Sequence, residues 1–185
     1  MTSSSGQRRV RRGDPHGWNA LGNYLKVHHS YLDMFRENLV LGDSLQYEFP
    51  SPDVFEIRGR VACQHDLFVD VDKTLEVNER NQVRTIKYSY HAGVEGRRTR
   101  SVFRYDNAHR YTREGHADEH HKHRFDPATW QEIEPPIWIG RDSWPHLSEV
   151  LEELQHWWAT IGCRLDLPRE LSDMTELQED MPRDD

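Results

Sequence analysis

The fold of this chain is set by residues 83–105, where two alternating segments flank a loop that contains two glycines. The segments are Val83-Arg84-Thr85-Ile86-Lys87-Tyr88-Ser89-Tyr90-His91 and Arg98 to Tyr105, with Gly93 to Gly96 between them. Alternation of apolar and polar residues with a period of two is typical of a strand with one buried face. Two such strands joined by a short loop predict an antiparallel hairpin.

Two further strands are predicted ahead of the hairpin, at Val54–Ala62 and from Leu67 to Glu79. In the second, Leu67, Val69 and Val71 alternate with Phe68, Asp70 and Asp72. The turn sequence Asn78-Glu79-Arg80-Asn81 follows. Short connections between successive strands favour an antiparallel meander of about four strands.

Two helices are predicted on either side of these strands. Within residues 17–40, apolar positions recur every three or four residues, which describes one helical face: Trp18, Leu21, Leu25, His28, Leu32, Phe35 and Leu39. A second helix is expected over about residues 145–160, ended by Gly162. The sequence therefore predicts an α+β fold with an N-terminal helix, an antiparallel sheet and a C-terminal helix packed on the sheet.

The remaining segments are predicted to lack regular structure or to carry little of it. Residues 106–125 are polar and lack a strand or helix period, so a long loop is expected there. A short strand is expected at Ile137–Gly140. Residues 17–165 are expected to form a single domain between a basic, disordered tail at 1–16 and an acidic tail, also disordered, at 166–185.

Composition favours a reduced, cytoplasmic protein. Cys63 and Cys163 form neither a metal-type pair nor a disulfide framework. The chain has no apolar run of transmembrane length, and its first residues lack the apolar core of a secretory signal.

The charge is unevenly distributed along the chain. The net charge is −8, but residues 84–124 hold ten Lys or Arg and five Asp or Glu and so carry +5, which leaves −13 for the rest. A basic segment in an acidic protein points to a local phosphate or anion site. Surface hairpins that happen to carry arginine are the alternative interpretation.

Residues 88–123 hold six of the twelve histidines. Because His121 and His123 are two residues apart, they face the same side of an extended segment, with His120 and Lys122 opposite. The residue types fit acid–base cleavage of an RNA phosphodiester, since histidine titrates near neutrality and cations stabilise the phosphoryl charge. A His-x-His metal site and a purely structural role remain open.

Three motifs in order resemble the TumE family of toxins from toxin–antitoxin pairs. They are Lys87-Tyr88-Ser89-Tyr90-His91, Phe103-Arg104-Tyr105-Asp106-Asn107-Ala108 and His120-His121-Lys122-His123. The resemblance spans roughly residues 18–157. It implies an antitoxin partner, often with a helix-turn-helix part. The chain departs from the family pattern after Asp106-Asn107-Ala108, where His109 alone matches the usual Pro-His pair, and before the last motif, where a proline is missing.

The functional hypothesis is a TumE-like toxin that cleaves RNA without a metal or other cofactor. The candidate acid or base residues are His91, His109, His121 and His123. Arg104 and Lys122 are the candidate phosphate ligands. Tyr88 and Tyr90 are candidate base-stacking rings, Asp106 and Asn107 candidate orienting groups, and His120 a further binding candidate.

Two alternatives remain from the sequence alone. One is a non-enzymatic protein- or nucleic-acid-binding module, in which the terminal tails are the working parts. The other is a metal-dependent nuclease. The chemistry of the main hypothesis requires the end of the hairpin and the segment at residues 120–123 to share one site.

Overall fold

In a computed structural model, residues 17–96, 100–107, 119–140 and 142–165 are described. They form two α-helices, one short 3₁₀ helix (Gly162–Arg164) and nine strands. The α-helices are α1 (Leu21–Phe35) and α2 (Leu147–Thr160). The strands are β1 (Asn19–Ala20), β2 (Val40–Asp43), β3 (Gln46–Ser51), β4 (Val54–Cys63), β5 (Leu67–Val77), β6 (Gln82–Val94), β7 (Arg100–Asp106), β8 (His121–Phe125) and β9 (Glu132–Trp138).

All the strand pairs are antiparallel and belong to one sheet. The order across the sheet is β2-β4-β5-β6-β7-β8-β9, while β3 also pairs with β4 and β1 with β6. The α+β class and the antiparallel meander through β4, β5, β6 and β7 are therefore confirmed. The expected tails at residues 1–16 and 166–185 lie outside the described residues.

The expected number of strands was wrong, and the reasons are local. β2 and β3 are short and lie end to end along β4. β8 was expected to be part of a loop because its sequence, His121-Lys122-His123-Arg124-Phe125, has polar residues on both faces. β9 contains Pro135 and Pro136 and is longer than the short strand expected. Proline is tolerated there because β9 lies at the edge of the sheet.

The first helix also differs from its prediction. Its apolar period continues to Leu39, but the helix ends at Phe35 and Val40 begins a strand that pairs with Cys63. Leu39 is nevertheless only 2 % exposed, so it joins the core from the turn instead of from the helix. The second helix begins at Leu147, two residues later than expected, with His146 and Glu149 forming a capping box.

The core lies between the two helices and one face of the sheet. Val71, Tyr90 and Tyr105 from the sheet are buried together with Leu151 and Leu154 from α2. The alternate residues of the same strands point to the opposite face. Among the described residues, neither helix contributes to that second face.

Gly59 marks the place where β2 gives way to β3 beside β4. Its φ is +146°, a conformation that side chains with a Cβ rarely adopt. A Cβ at this position would lie 2.5 Å from the carbonyl oxygen of Ser44. The close approach of the chain between β2 and β3 therefore requires glycine.

Candidate functional site

The strand registers align polar residues across the face of the sheet that lies away from the helices. Arg60 is the register partner of Asp70, Asp70 of His91, His91 of Arg104, and Arg104 of His123. These five residues, called the polar row below, come from β4, β5, β6, β7 and β8. Directly opposed residues of antiparallel strands share a face, so their side chains form one continuous surface.

One end of the polar row is a closed ion-pair network. Arg60 donates two hydrogen bonds to Asp70, at 2.6 Å from Nε and 2.9 Å from Nη2, and a third at 2.9 Å from Nη1 to Glu95. The guanidinium also lies 4.0 Å from the centre of the Phe68 ring. Arg60 is therefore held in place on three sides and is poorly suited to turn toward a ligand.

His91 lies in the middle of the row. Its Nδ1 is 3.7 Å from Asp70 Oδ2, and its Nε2 is 2.8 Å from the hydroxyl oxygen of Ser101. Burial lowers the pKa of His91, and Asp70 opposes this effect while Arg104 and Arg60 add to it. Because its pKa is lowered, the imidazole is neutral near pH 7, the state that a general base requires.

Arg104 joins the row to a buried carboxylate. Its Nε donates to Asp106 Oδ2 at 2.8 Å, and its Nη2 donates to His123 Nε2 at 2.9 Å. The side chain is 33 % exposed, while that of Asp106 is 2 % exposed. Arg104 therefore has one side fixed inside the protein and the other open to solvent.

Asp106, His121 and His123 form a second feature, called the buried triad below. One possible ligand atom of each lies within 4.8 Å of those of the other two. Asp106 Oδ1 is 3.1 Å from His121 Nε2, and Asp106 Oδ2 is 3.6 Å from His123 Nε2. The register Asp106↔His121 brings these groups together, because β7 and β8 pair at the point where β7 ends.

Both imidazoles of the buried triad are oriented through Nδ1. His121 Nδ1 donates to the carbonyl oxygen of Glu119 at 2.8 Å. His123 Nδ1 contacts the carboxylate of Glu132. Since Arg104 donates to His123 Nε2, that nitrogen is an acceptor, and the Nδ1–H of His123 donates to the Glu132 carboxylate. The rings thus turn their Nε2 atoms toward Asp106.

His121 is fully enclosed and its charge state follows from its partners. Burial by itself lowers the pKa of His121, but hydrogen bonds with Asp106 and with the Glu119 carbonyl outweigh it, so the pKa is raised. At 0 % exposure His121 cannot touch a large substrate. Its direct effect is to hold Asp106, and through Asp106 the guanidinium of Arg104.

The other residues that the sequence singled out lie elsewhere. Tyr88 and Tyr90 are 1 % and 0 % exposed on the helix side of the sheet, so they offer no ring face to a base and fit the alternative of core packing. Asn107 accepts from the backbone N–H of Tyr88 at 2.8 Å and donates to the carbonyl of Ile86 at 3.0 Å. It thus fixes the backbone where β7 ends.

Lys122 and His120 are also separated from the buried triad. Lys122 points to the helix side, where its ammonium contacts Glu153 of α2. His120 stacks with Tyr88 and Trp144, at ring-centre distances of 5.7 and 6.0 Å. His109 lies outside the described residues. The structure thus brings together His91, Arg104, Asp106, His121 and His123, but not Lys122, His120, Tyr88 or Tyr90.

Sequence reasoning missed Arg60, Asp70 and Glu132, although part of the signal was present. The alternation in β5 already placed Asp70 on the polar side of its strand. Which neighbours would meet it there depends on the register with β4 and β6. Glu132 lies ahead of the short strand that was expected at Ile137–Gly140, so nothing local linked it to His123.

No helix in the described ranges combines the length and the apolar character needed to cross a membrane. A model of the toxin TumE family matches residues 30–161 of the 185. The matched range contains every residue of the polar row and of the buried triad. Neither a curated protein nor a solved structure shows significant similarity to the chain.

Proposed function

Because the chain belongs to the TumE toxin family, we propose that it is a toxin that acts on RNA in the cytoplasm, as a metal-independent ribonuclease with histidine acid–base catalysis. Its partner in this proposal is an antitoxin, with a helix-turn-helix part as in related systems. The observation that supports this proposal is the part of the polar row formed by His91, Arg104 and His123, in which two imidazoles flank a half-buried guanidinium.

The spacing of the row suits in-line attack on a phosphodiester. Neighbouring strands lie about 4.8 Å apart, so the backbones of His91 and His123 are separated by roughly 10 Å across β7. A phosphate resting on Arg104 would then have one imidazole on each side. Cleavage of RNA through its 2′-hydroxyl needs this arrangement, since the base and the acid act on opposite sides of phosphorus.

Each residue has a distinct role in the proposed reaction. His91, neutral because its pKa is lowered, takes the proton from the 2′-hydroxyl as that oxygen bonds to phosphorus. Arg104 stabilises the extra negative charge on the phosphorane oxygens. When Arg104 turns from His123 onto the phosphate, it uncovers the Nε2 of His123, which takes up a proton from solvent and donates it to the 5′-oxygen as the P–O bond to that oxygen breaks. Asp106 and His121 are positioning residues that hold Arg104.

The direct test combines a growth assay with RNA cleavage. We expect inducible expression of the wild type to slow growth and the purified protein to cleave single-stranded RNA. The substitutions His91→Ala, Arg104→Ala and His123→Ala should each reduce cleavage by about 100-fold or more, as expected for loss of an acid–base or charge-stabilising group. His156→Ala and Arg80→Ala, both at exposed positions away from the row, are the matched controls.

The outcomes separate the proposal from its rivals. If wild type and the three site variants slow growth equally while remaining folded, catalysis by this row is ruled out and a binding module is favoured. If ethylenediaminetetraacetate (EDTA) abolishes cleavage and added metal restores it, the metal-independent mechanism is wrong. Thermal unfolding of every variant shows whether a lost activity reflects a lost fold.

A further inference from the structure

The buried triad has the composition and the compactness of a metal site. Asp106, His121 and His123 supply one carboxylate and two imidazoles, and all three are buried. Imidazole and carboxylate together are ligands that Zn²⁺ and neighbouring transition metals accept. The three groups come from two adjacent strands, which hold them more rigidly than a loop would.

The distances between the ligand atoms agree with a shared ion. Metal–nitrogen and metal–oxygen bonds of about 2.0–2.2 Å at tetrahedral angles place neighbouring ligand atoms about 3.3 Å apart. Asp106 Oδ1 lies 3.1 Å from His121 Nε2, and Asp106 Oδ2 lies 3.6 Å from His123 Nε2. Small side-chain adjustments would therefore let one ion contact all three groups.

The outer contacts of the two imidazoles are those that metal-binding histidines use. A backbone carbonyl holds His121 through Nδ1, and the Glu132 carboxylate holds His123 through Nδ1. Such contacts fix the ring and leave the Nε2 lone pair for the metal. His123 already has this tautomer, because its Nε2 accepts from Arg104.

A metal ion has to displace the proton through which His121 Nε2 bonds to Asp106, and it also has to displace Arg104. Its guanidinium lies 2.8 Å from Asp106 Oδ2 and 2.9 Å from His123 Nε2, and so occupies two of the groups that an ion would need. A permanent positive charge and a divalent cation repel each other at this range. Since the side chain is 33 % exposed, it has room to turn outward.

We propose that Asp106, His121 and His123 bind a divalent transition-metal ion of the Zn²⁺ type in competition with Arg104. Ion binding releases Arg104 from Asp106 and His123, and it releases to solvent the proton that His121 Nε2 donates to Asp106. A water molecule completes the tetrahedron. If the proposed ribonuclease function holds, the ion inhibits the enzyme, because it removes the guanidinium from its position and occupies the Nε2 of His123.

Metal binding is measured first, without reference to activity. The full-length protein, freed of metal with EDTA and dialysed, is titrated with Co²⁺ by visible absorption and with Zn²⁺ by calorimetry. We expect one equivalent to bind with the absorption of tetrahedral Co²⁺ bearing nitrogen and oxygen ligands. His123→Ala should abolish this spectrum, and His156→Ala, the matched control on the exposed side of α2, should leave it unchanged.

Two variants that remove no ligand make the test independent of folding defects in the triad. Arg104→Ala should tighten Zn²⁺ binding by about 10-fold because the competing cation is gone, and Glu132→Gln should weaken it by about 10-fold because the outer contact of His123 is lost. Absence of the tetrahedral spectrum overturns the site. Unchanged affinity in Arg104→Ala overturns the competition.

Zn²⁺ binding and RNA cleavage are measured on the same protein, so the metal site and the ribonuclease function are tested separately. Zn²⁺ binding without any RNA cleavage supports the metal site and contradicts the ribonuclease function. If the protein cleaves RNA, is not inhibited by Zn²⁺ and gives no tetrahedral Co²⁺ spectrum, the metal site is contradicted and the ribonuclease function is supported. Cleavage that requires Zn²⁺ contradicts the competition, since the ion would then be a cofactor.

Discussion

His28 and Lys73 are polar residues that the fold buries on the helix side of the sheet, at 3 % exposure each. Lys73 follows Leu67, Val69 and Val71 in the same alternation, so its strand position alone directs it into the core. Its ammonium contacts the Tyr24 hydroxyl and lies 5.9 Å from the ring centres of Tyr90 and Trp144. Hydroxyl and ring faces thus stabilise the buried charge.

His28 should make the protein sensitive to acid. Burial lowers the pKa of His28 to about 3, with the nearby charge of Lys73 adding to the effect. Its pKa in the unfolded chain is near 6.5. Because the pKa of His28 is lower in the folded protein, neutral His28 is accommodated without loss of stability above pH 6.5. As pH falls from 6.5 toward 3, the free energy of unfolding decreases by up to about 1.4 kcal/mol per pH unit.

His28→Phe should therefore flatten the dependence of stability on pH. We expect a smaller loss in the free energy of unfolding between pH 7 and pH 4.5 than in the wild type, measured by urea denaturation. His156→Ala, at an exposed position on α2, should retain the wild-type slope. Equal slopes in wild type and His28→Phe would show that this histidine does not drive acid unfolding.

At the scale of elements, one glutamate connects the sheet to α2. Glu153 accepts from the Tyr105 hydroxyl at 2.6 Å and contacts the ammonium of Lys122, so β7, β8 and α2 meet at a single carboxylate. Lys122 also lies 5.3 and 5.0 Å from the ring centres of Phe103 and Tyr105. The lysine that the sequence suggested as a phosphate ligand therefore contributes to the packing of the helix.

Removing this carboxylate should destabilise the fold. Glu153→Ala leaves the Tyr105 hydroxyl and the Lys122 ammonium without their partner, and we expect the free energy of unfolding to fall by about 1–3 kcal/mol. Glu152→Ala, an exposed residue on the same helix, should change it by less than about 0.5 kcal/mol. Chemical denaturation of both variants checks the difference, and equal effects would contradict this role for Glu153.

At the scale of the whole molecule, charge is separated along the chain. Residues 84–124 carry +5, whereas residues 166–185 hold eight acidic and two basic residues. An acidic segment on the same polypeptide repels a polyanion such as RNA and competes with it for the basic side chains. If the protein binds RNA as proposed, this segment should weaken the binding.

Deletion of residues 166–185 should therefore strengthen RNA binding. We expect an increase of about threefold or more at low ionic strength that fades as salt screens the charges. Fluorescence anisotropy with labelled single-stranded RNA measures it. A variant of full length with the eight acidic residues changed to Asn or Gln should behave like the deletion. Affinity that is equal in all three proteins at low salt would exclude this electrostatic effect.

Local patterns along the chain were sufficient to predict the α+β class, the central antiparallel meander, the helix that becomes α2 and the membership of the TumE family. These depend on local periods of two and 3.6 residues and on short motifs, which are readable along the chain. The strand at His121–Phe125 and the contact between Asp106 and His121 became evident only from the folded protein. The same holds for the position of Arg104 between His91 and His123, and for the turn of Lys122 to the helix side. Those facts depend on strand register, because a shift of one residue would exchange the two faces of the sheet.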